Sequence, residues 1–513
     1  MERETIAVLD FGSQYTQLIA RKIRELKVFS IILPYNTTVS ELKRYNLKGI
    51  ILSGGPASVY IQGAPSGDVR IFDLDIPILG ICYGTQWIIH ILNGKVKRAQ
   101  KQEYGSAELI IMDFLNLFWG ITGTMEVWMS YGDIIEELPE GFEIIGITAN
   151  SPYAAIRNPE RQIYCLQFHP EVTRTPLGKE IIANFLFDRI CGCSPNWLIE
   201  SFIDEKIEEI RSKVGTSRAI CGLSGSVDSS TAAVLAHYAI GKNLTCIFID
   251  NGLLRKREKE MIIRAFKDSL KIELVYVDAK DEFLKVLSGI TDPKEKRKRI
   301  EHKLIEVFER EARKVDGVEF LIQGTLYPDI IENERVSRYS AKIKVYHNGD
   351  WFPNTMNFKP IEPFKELFND EVREIALQLG LPDEIVYRQS FPSSGLAIRI
   401  IGEVNEKNLS ILKEADSIIQ DEIEKNGLYR DIWQSFAVML PGKSVGVTGD
   451  ERIYGNVIAI RAVVSTDGMT TEWAELPYEI LGKMATRIVN EVPSINRVVY
   501  DITPKPPGTI EWE

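Results

Sequence analysis

Seven residues, Ser224-Gly225-Ser226-Val227-Asp228-Ser229-Ser230, join an apolar run, Ala219-Ile220-Cys221-Gly222-Leu223, to an alanine-rich stretch with helical character from Thr231 to Ile240. A turn of small residues between a strand and a helix lets backbone N–H groups approach an anion closely. Its hydroxyls donate to phosphate oxygens, and the helix start adds the positive end of a dipole. The P-loop pattern G-x-x-x-x-G-K-[ST] carries a lysine that reaches the terminal phosphates. Here no lysine follows and Asp228 occupies the turn, so the loop suits phosphate without matching that pattern. Serine and aspartate are also ordinary helix caps, and the run gains its meaning from the strand before it and the helix after it.

A chain of 513 residues exceeds a single core, and at about 150 residues per domain it implies roughly three. With 44% hydrophobic and 26% charged residues the composition is that of a globular protein. No apolar stretch approaches the roughly 18–20 residues of a membrane span. The start, Met1 to Asp10, runs from charge directly into a strand-like segment, unlike a signal peptide. A cytoplasmic location and no membrane partner are expected. The net charge of −11 argues against a general nucleic-acid binder. Six cysteines read as buried or catalytic thiols rather than a disulfide framework. Cys191-Gly192-Cys193 lacks a second pair at zinc spacing, which favours structural thiols.

The expected fold class is α/β: two consecutive, mainly parallel α/β domains, residues 1–193 and 194–387, followed by a small α+β domain, residues 388–513. In the first, Ile6–Leu9, Gly49–Leu52 and Ile76–Ile81 alternate with helical patterns such as Gln17–Ile23. Cys191–Asn196 reads as a linker. In the second, strands are expected at Ala219–Leu223, Leu244–Ile249, Glu273–Val277 and Phe320–Gln323. The third combines a helix, Leu409–Lys425, with strand-like runs at Ser435–Leu440, Val457–Val464 and Arg497–Ile502.

Gly80-Ile81-Cys82-Tyr83-Gly84 follows a strand and precedes a helix from Thr85 to Leu92, the shape of a nucleophile elbow with cysteine in place of serine. A helix N-terminus and a neighbouring imidazole favour the thiolate, which attacks carbonyl carbon. Phe168-His169-Pro170-Glu171 ends the strand Ile163–Gln167. In extended chain residues i and i+2 point the same way, so Glu171 can orient His169, giving nucleophile, base and orienter. Ser53-Gly54-Gly55-Pro56 closes another strand, and Gly55 and Tyr83 are expected to supply the N–H donors of an oxyanion hole.

These residues resemble the class I glutamine amidotransferases, with Cys82, His169 and Glu171 as catalytic triad. The loop at 224–230 resembles the pyrophosphate loop of the N-type ATP pyrophosphatases, which cleave ATP between the α and β phosphates. Asp10-Phe11-Gly12-Ser13-Gln14-Tyr15, Val127–Ser130, Phe248–Leu254, Gln323–Glu332 and the terminal Lys505–Glu513 extend the resemblance over essentially the whole chain, to the GMP synthetase family.

That resemblance implies glutamine, ATP and xanthosine 5′-monophosphate (XMP) as substrates. Glutamine is hydrolysed at Cys82, ATP adenylates XMP, and ammonia displaces AMP to give GMP. It places ATP at Ser224, Gly225, Ser226, Val227, Asp228, Ser229, Ser230, Ile249 and Gly324, with Mg²⁺ at Asp228 and Asp329. XMP falls to Arg297, Gln434, Arg497, Lys505, Thr509, Ile510 and Glu511, and a lid to Lys344 and His347. A homodimer through the third domain is also implied. The chain departs from the family pattern in several places. Ser226 replaces a second glycine, where a Cβ is expected to hinder a positive-φ turn or crowd phosphate. Tyr346 replaces a lid histidine, Tyr131 stands where histidine is common, and Phe391-Pro392-Ser393-Ser394-Gly395 replaces a Pro-Gly-Pro-Gly pattern. Two alternatives stay open: another acceptor for the same chemistry, or a nucleotide-binding protein that has lost catalysis.

Overall fold

A computed structural model describes residues 3–331, 358–448, 451–465, 471–505 and 507–513. The chain forms two compact units, Met1–Leu198 and Ile199–Glu513.

The first unit is built on one nine-stranded sheet: β1 (Glu4–Asp10), β2 (Phe29–Pro34), β3 (Asn46–Leu52), β4 (Ile78–Ile81), β5 (Lys95–Ile111), β6 (Thr124–Glu137), β7 (Glu143–Ile147), β8 (Ala155–Asn158) and β9 (Ile163–Leu166). Their order is β2-β1-β3-β4-β9-β8-β7-β5-β6. Strands β2, β1, β3, β4 and β9 run parallel. All four residues of β4 and of β9 are buried, as expected for central strands covered on both faces. Beyond β9 the pairings are antiparallel. This half was not expected from the sequence. On β6 the inward positions Met125, Val127, Met129, Tyr131, Asp133 and Ile135 alternate with outward Trp128 and Ile134, so polar and apolar residues fall on both faces and blur the period.

The second unit carries two sheets. Strands β10 (Arg218–Leu223), β11 (Leu244–Asp250), β12 (Leu274–Asp278), β13 (Val318–Ile322) and β14 (Lys359–Ile361) form a parallel sheet in the order β12-β11-β10-β13-β14. Strand β11 is buried throughout. The other sheet comprises β15 (Gln434–Met439), β16 (Ser444–Thr448), β17 (Glu451–Val464), β18 (Glu472–Trp473) and β19 (Ile495–Asp501). Here β17 pairs antiparallel with β15, β16 and β18 and parallel with β19. A 20-residue helix, Glu406–Lys425, capped by the Asn405 side chain, buries Leu409, Leu412, Ile419 and Ile423. One hydrophobic core runs from Ile220 and Ile247 beneath the parallel sheet, through Leu412 and Ile419, to Ile458 and Ile460 of the second sheet. All six cysteines are free thiols.

Candidate functional site

In the first unit, Cys82 links β4 to the helix Tyr83–Ile91 with φ 51° and ψ −104°. A positive φ at a non-glycine residue is uncommon and stores strain where the structure over-determines it. The flanking glycines show how this is achieved. A Cβ on Gly80 would stand 2.8 Å from the Thr85 nitrogen, and one on Gly84 2.4 Å from the Leu52 carbonyl oxygen. Only glycine lets the helix start press so closely on the sheet.

His169 and Glu171 follow β9, the strand that pairs with β4. His169 Nδ1 lies 2.7 Å from Glu171 Oε1, with both side chains buried. The backbone N–H of His169 donates to the Trp128 carbonyl at 3.0 Å, and Thr175 Oγ1 donates to the His169 carbonyl at 2.7 Å. Burial works against a charged ring, but the Glu171 carboxylate and then the neighbouring Cys82 more than offset it. The His169 pKa is raised well above its ordinary value. The Cys82 thiol lies 3.5 Å from the Ser130 carbonyl.

The glycine turn expected to complete an oxyanion hole sits against the same groups. A Cβ on Gly54 would be 3.1 Å from His169 Cε1, and one on Gly55 would be 2.6 Å from the Phe11 carbonyl and 3.3 Å from the Tyr83 ring. Gly55 and Tyr83 are thus brought together beside Cys82. Tyr131 is buried and donates to Glu103 Oε2 at 2.5 Å; burial, then that carboxylate, raise its pKa.

In the second unit the 224–230 loop leaves β10 and enters the helix Val227–Ile240. Ser226 does not take the positive φ that its Cβ was expected to hinder: it has φ −69° and ψ 156° and serves as the helix N-cap, accepting from the Ser229 N–H at 3.2 Å. The positive φ falls on Gly225 instead, at +76°. The hydroxyls of Ser224, Ser226 and Ser229 form a triangle with sides of 3.0, 3.0 and 3.1 Å. Val227 and Ser230 are buried in the first helical turn. Leu223 pairs with Phe248, so Ile249 lies at the level where the loop begins.

Gly324 abuts the loop, since a Cβ there would meet the Asp228 carbonyl carbon at 2.8 Å and the Ser229 nitrogen at 2.9 Å. Asp228 Oδ1 is buried without a hydrogen-bond partner. Burial, then the nearby Asp329 carboxylate, push the Asp228 pKa up to about 7 against a counter-pull from Arg373. Asp329 also accepts from the Leu326 N–H at 3.0 Å. Two neighbouring carboxylates with an unpartnered buried oxygen fit the donor set of a hard divalent cation whose other ligands come from phosphate and water. Among the described residues no cluster of three or more His, Cys, Asp or Glu side chains forms a closed metal cage.

The residues expected to hold XMP divide among the helix Pro293–Ala312, which carries Arg297, the second sheet and the terminal segment. Glu511 is gripped by the fully buried Arg399, Nη2 to Oε1 at 2.7 Å and Nε to Oε2 at 3.0 Å. Thr509 offers its carbonyl to buried Arg461 at 3.2 Å, and Ile510 packs on Phe436, Val438 and Ala459. Arg297 donates to the Glu513 carbonyl, and the buried Lys296 pairs with the Glu513 carboxylate. Lys505 bridges Thr471 through two backbone hydrogen bonds. Gln434, on β15, donates to the Ser390 carbonyl at 2.9 Å. Arg497, on β19, donates to Ser444 Oγ at 2.6 Å. Lys344, Tyr346 and His347 lie outside the described residues. Sequence reasoning did not single out Lys296, Arg399 or Arg461, because nothing local marks a buried cation whose partner lies 40 to 217 positions away.

The family pattern of class-I glutamine amidotransferases matches residues 7–189. The pattern described as NAD synthase matches 198–305, across the serine-rich loop, and that of the GMP synthase C-terminal domain matches 421–512. Fold, site and patterns together define a glutamine amidotransferase joined to an ATP pyrophosphatase-like nucleotide unit. Over all 513 residues the chain is 56% identical to the glutamine-hydrolysing GMP synthase of Aquifex aeolicus, covering the whole of both chains. It is 54% identical over 508 residues to that of Carboxydothermus hydrogenoformans, covering 99% of each. The chain belongs to the glutamine-hydrolysing GMP synthase family.

Proposed function

We propose that this enzyme, an amido-donor ligase, aminates XMP to GMP with nitrogen from glutamine, and that the residues gathered above carry its two half-reactions. In the first, Cys82 attacks the glutamine side-chain carbonyl while His169, oriented by Glu171, passes the proton to the leaving ammonia. Gly55 and Tyr83 supply N–H donors for the tetrahedral oxyanion. Water then hydrolyses the thioester to glutamate. The observation that carries this reading is the His169 imidazole, held 2.7 Å from a buried Glu171 with the strained Cys82 close enough to raise its pKa.

In the second, ATP lies on Ser224–Ser230 with its adenosine near Ile249 and Gly324. The purine C2 oxygen of XMP attacks the α-phosphorus, and pyrophosphate leaves. Ammonia adds at C2 and AMP departs with that oxygen, giving GMP. Asp228 and Asp329 would hold Mg²⁺, which, when bound, neutralises charge on the pyrophosphate. Arg297, Gln434, Arg497, Lys505, Thr509, Ile510 and Glu511 would bind XMP, and Lys344 and His347 would cover the site. In this reading 1–193 is the glutaminase, 194–387 the pyrophosphatase and 388–513 the dimerisation and acceptor domain. The exposed Val447 and Tyr454 of the β16–β17 hairpin, 72% and 69% accessible, support a homodimer. Among the described residues no helix is long and apolar enough to cross a membrane, which accords with a cytoplasmic enzyme.

A coupled assay of AMP, pyrophosphate and GMP, run with glutamine and then with ammonium, tests the whole scheme. Equimolar AMP and GMP from both donors is expected. Formation of AMP and pyrophosphate only with an acceptor other than XMP would overturn the substrate assignment.

A further inference from the structure

We propose that Arg388 is a positioning residue for the ATP step: it fixes the peptide between Gly225 and Ser226 so that its carbonyl points away from the phosphates and its N–H towards them. The inference rests on residues 224–230 being the ATP loop. Arg388 comes to the loop from 163 positions further along the chain, and its Nη1 donates to the Gly225 carbonyl. Its Nη2 pairs with Glu258, and both side chains are nearly inaccessible, 11% and 4% exposed. Glu258 is fixed in turn, because its Oε2 accepts the Arg255 N–H at 2.9 Å.

In a planar trans peptide the carbonyl and the N–H point in opposite directions. Anchoring the Gly225 oxygen on Arg388 therefore aims the Ser226 N–H to the other side, where it meets Ser224 Oγ at 3.3 Å within the hydroxyl triangle. Were the peptide to flip, a carbonyl dipole would face the phosphate and repel it. The lock leaves little slack. A Cβ on Gly225 would stand 2.4 Å from Ile262 Cδ1 and 3.0 Å from Arg388 Nη1, so the guanidinium fills the space beside the turn.

The guanidinium is kept here against burial and like charge. Arg255, Arg388 and Arg399 all stand over the Phe391 ring, at 5.3, 5.5 and 5.1 Å. Burial first, and then its two like-charged neighbours, pull the Arg388 pKa down to about 9. A cation kept in such surroundings answers two demands, the buried Glu258 carboxylate and the Gly225 carbonyl. The Pro-Ser-Ser-Gly departure at 392–395 sits immediately after this arginine and ring.

Inorganic pyrophosphate, titrated calorimetrically into the full-length enzyme with Mg²⁺, is the probe, alongside steady-state AMP formation. Arg388→Met is expected to weaken pyrophosphate binding and raise the KM for ATP by roughly ten- to a hundredfold, the range for losing a charge-assisted hydrogen bond. Arg388→Lys keeps one donor and the charge, and is expected to recover part of the loss. Melting by circular dichroism confirms that each variant is folded. Should Arg388→Met melt below the assay temperature, Arg388→Lys decides alone, and a KM within twofold of wild type overturns the role. So does unchanged pyrophosphate affinity in both variants, or a fall in kcat with KM intact. Asp228→Asn is titrated in parallel. If it weakens binding while the Arg388 variants do not, the positioning role fails and the loop reading stands; if all three bind normally, the loop reading itself fails.

Discussion

His169 Nδ1 and Glu171 Oε1 stand 2.7 Å apart, two positions apart in the chain, with both side chains closed off from solvent. The strand expected to reach them ends at Leu166, and a bend and turn, not extended backbone, bring the two side chains together; burial makes the carboxylate indispensable to the charged ring. Glu171→Gln removes that support, so burial prevails and the His169 pKa falls. Glutamate release is expected to drop by about three to four orders of magnitude at saturating glutamine, the scale on which an orienting carboxylate matters in a triad. GMP formation from added ammonium in the same preparation should persist.

Cys82→Ala separates the half-reactions more sharply. It is expected to abolish glutamine-dependent amination and to leave ammonium-dependent amination within about twofold. The replacement also relieves no positive-φ strain, because alanine keeps its Cβ. Equal loss of both activities would contradict the division of labour between the units.

Asp228 gives a pH signature. Its carboxyl titrates near 3.8 when free and about 7 in the folded chain. A raised carboxyl pKa stabilises the fold fully below pH 4, and that contribution is lost as the pH rises through 7. The shift corresponds to roughly 4 kcal/mol. Asp228→Asn is therefore expected to raise the melting temperature of the metal-free protein at pH 8 and to have little effect near pH 4. Wild-type affinity for Mg²⁺ should increase between pH 6 and 8, as ionisation frees the carboxylate for the cation.

Gly225 and Ser226 predict opposite outcomes for adjacent substitutions. Gly225→Ala places a Cβ at φ +76° and 2.4 Å from Ile262, so a loss of about 2 kcal/mol and poorer ATP use are expected. Ser226→Gly meets no such barrier, since φ is −69°. It should cost only a few tenths of a kcal/mol, the difference between serine and glycine at an N-cap. The rate of AMP formation should not rise.

Glu511→Ala leaves Arg399 buried without its carboxylate. Breaking a buried pair on one side costs about 3–5 kcal/mol. Chemical denaturation should register that loss, and limited proteolysis should release the terminal segment faster than in wild type.

Much of the candidate site's layout was legible in the sequence because strand–turn–helix junctions are local. Cys82 between two glycines, His169 and Glu171 two apart, and the serine run after β10 all declare themselves within a dozen residues. The helix at 409–425 and the strands at 219–223 and 244–249 carry equally local periodicity. What stayed hidden is distant or two-faced. The partners of Arg388, Arg399 and Lys296 are separated from them by 163, 112 and 217 positions. The antiparallel half of the first sheet places Tyr131 and Asp133 inward and Trp128 towards the surface, which erases the alternation that marks a strand. The expectation of a hindered positive φ at Ser226 failed for a subtler reason: the turn needs one left-handed residue, and Gly225 already provides it.

The continuous core beneath both sheets of the second unit has a consequence for how that unit unfolds. Ile220 behind the 224–230 loop and Ile460 on β17 belong to one apolar cluster, so the loop and the second sheet are expected to open as one cooperative block. Amide hydrogens on β10 and β17 should exchange through the same opening event, and a cavity carved under β17 should shorten the lifetime of the loop without touching it.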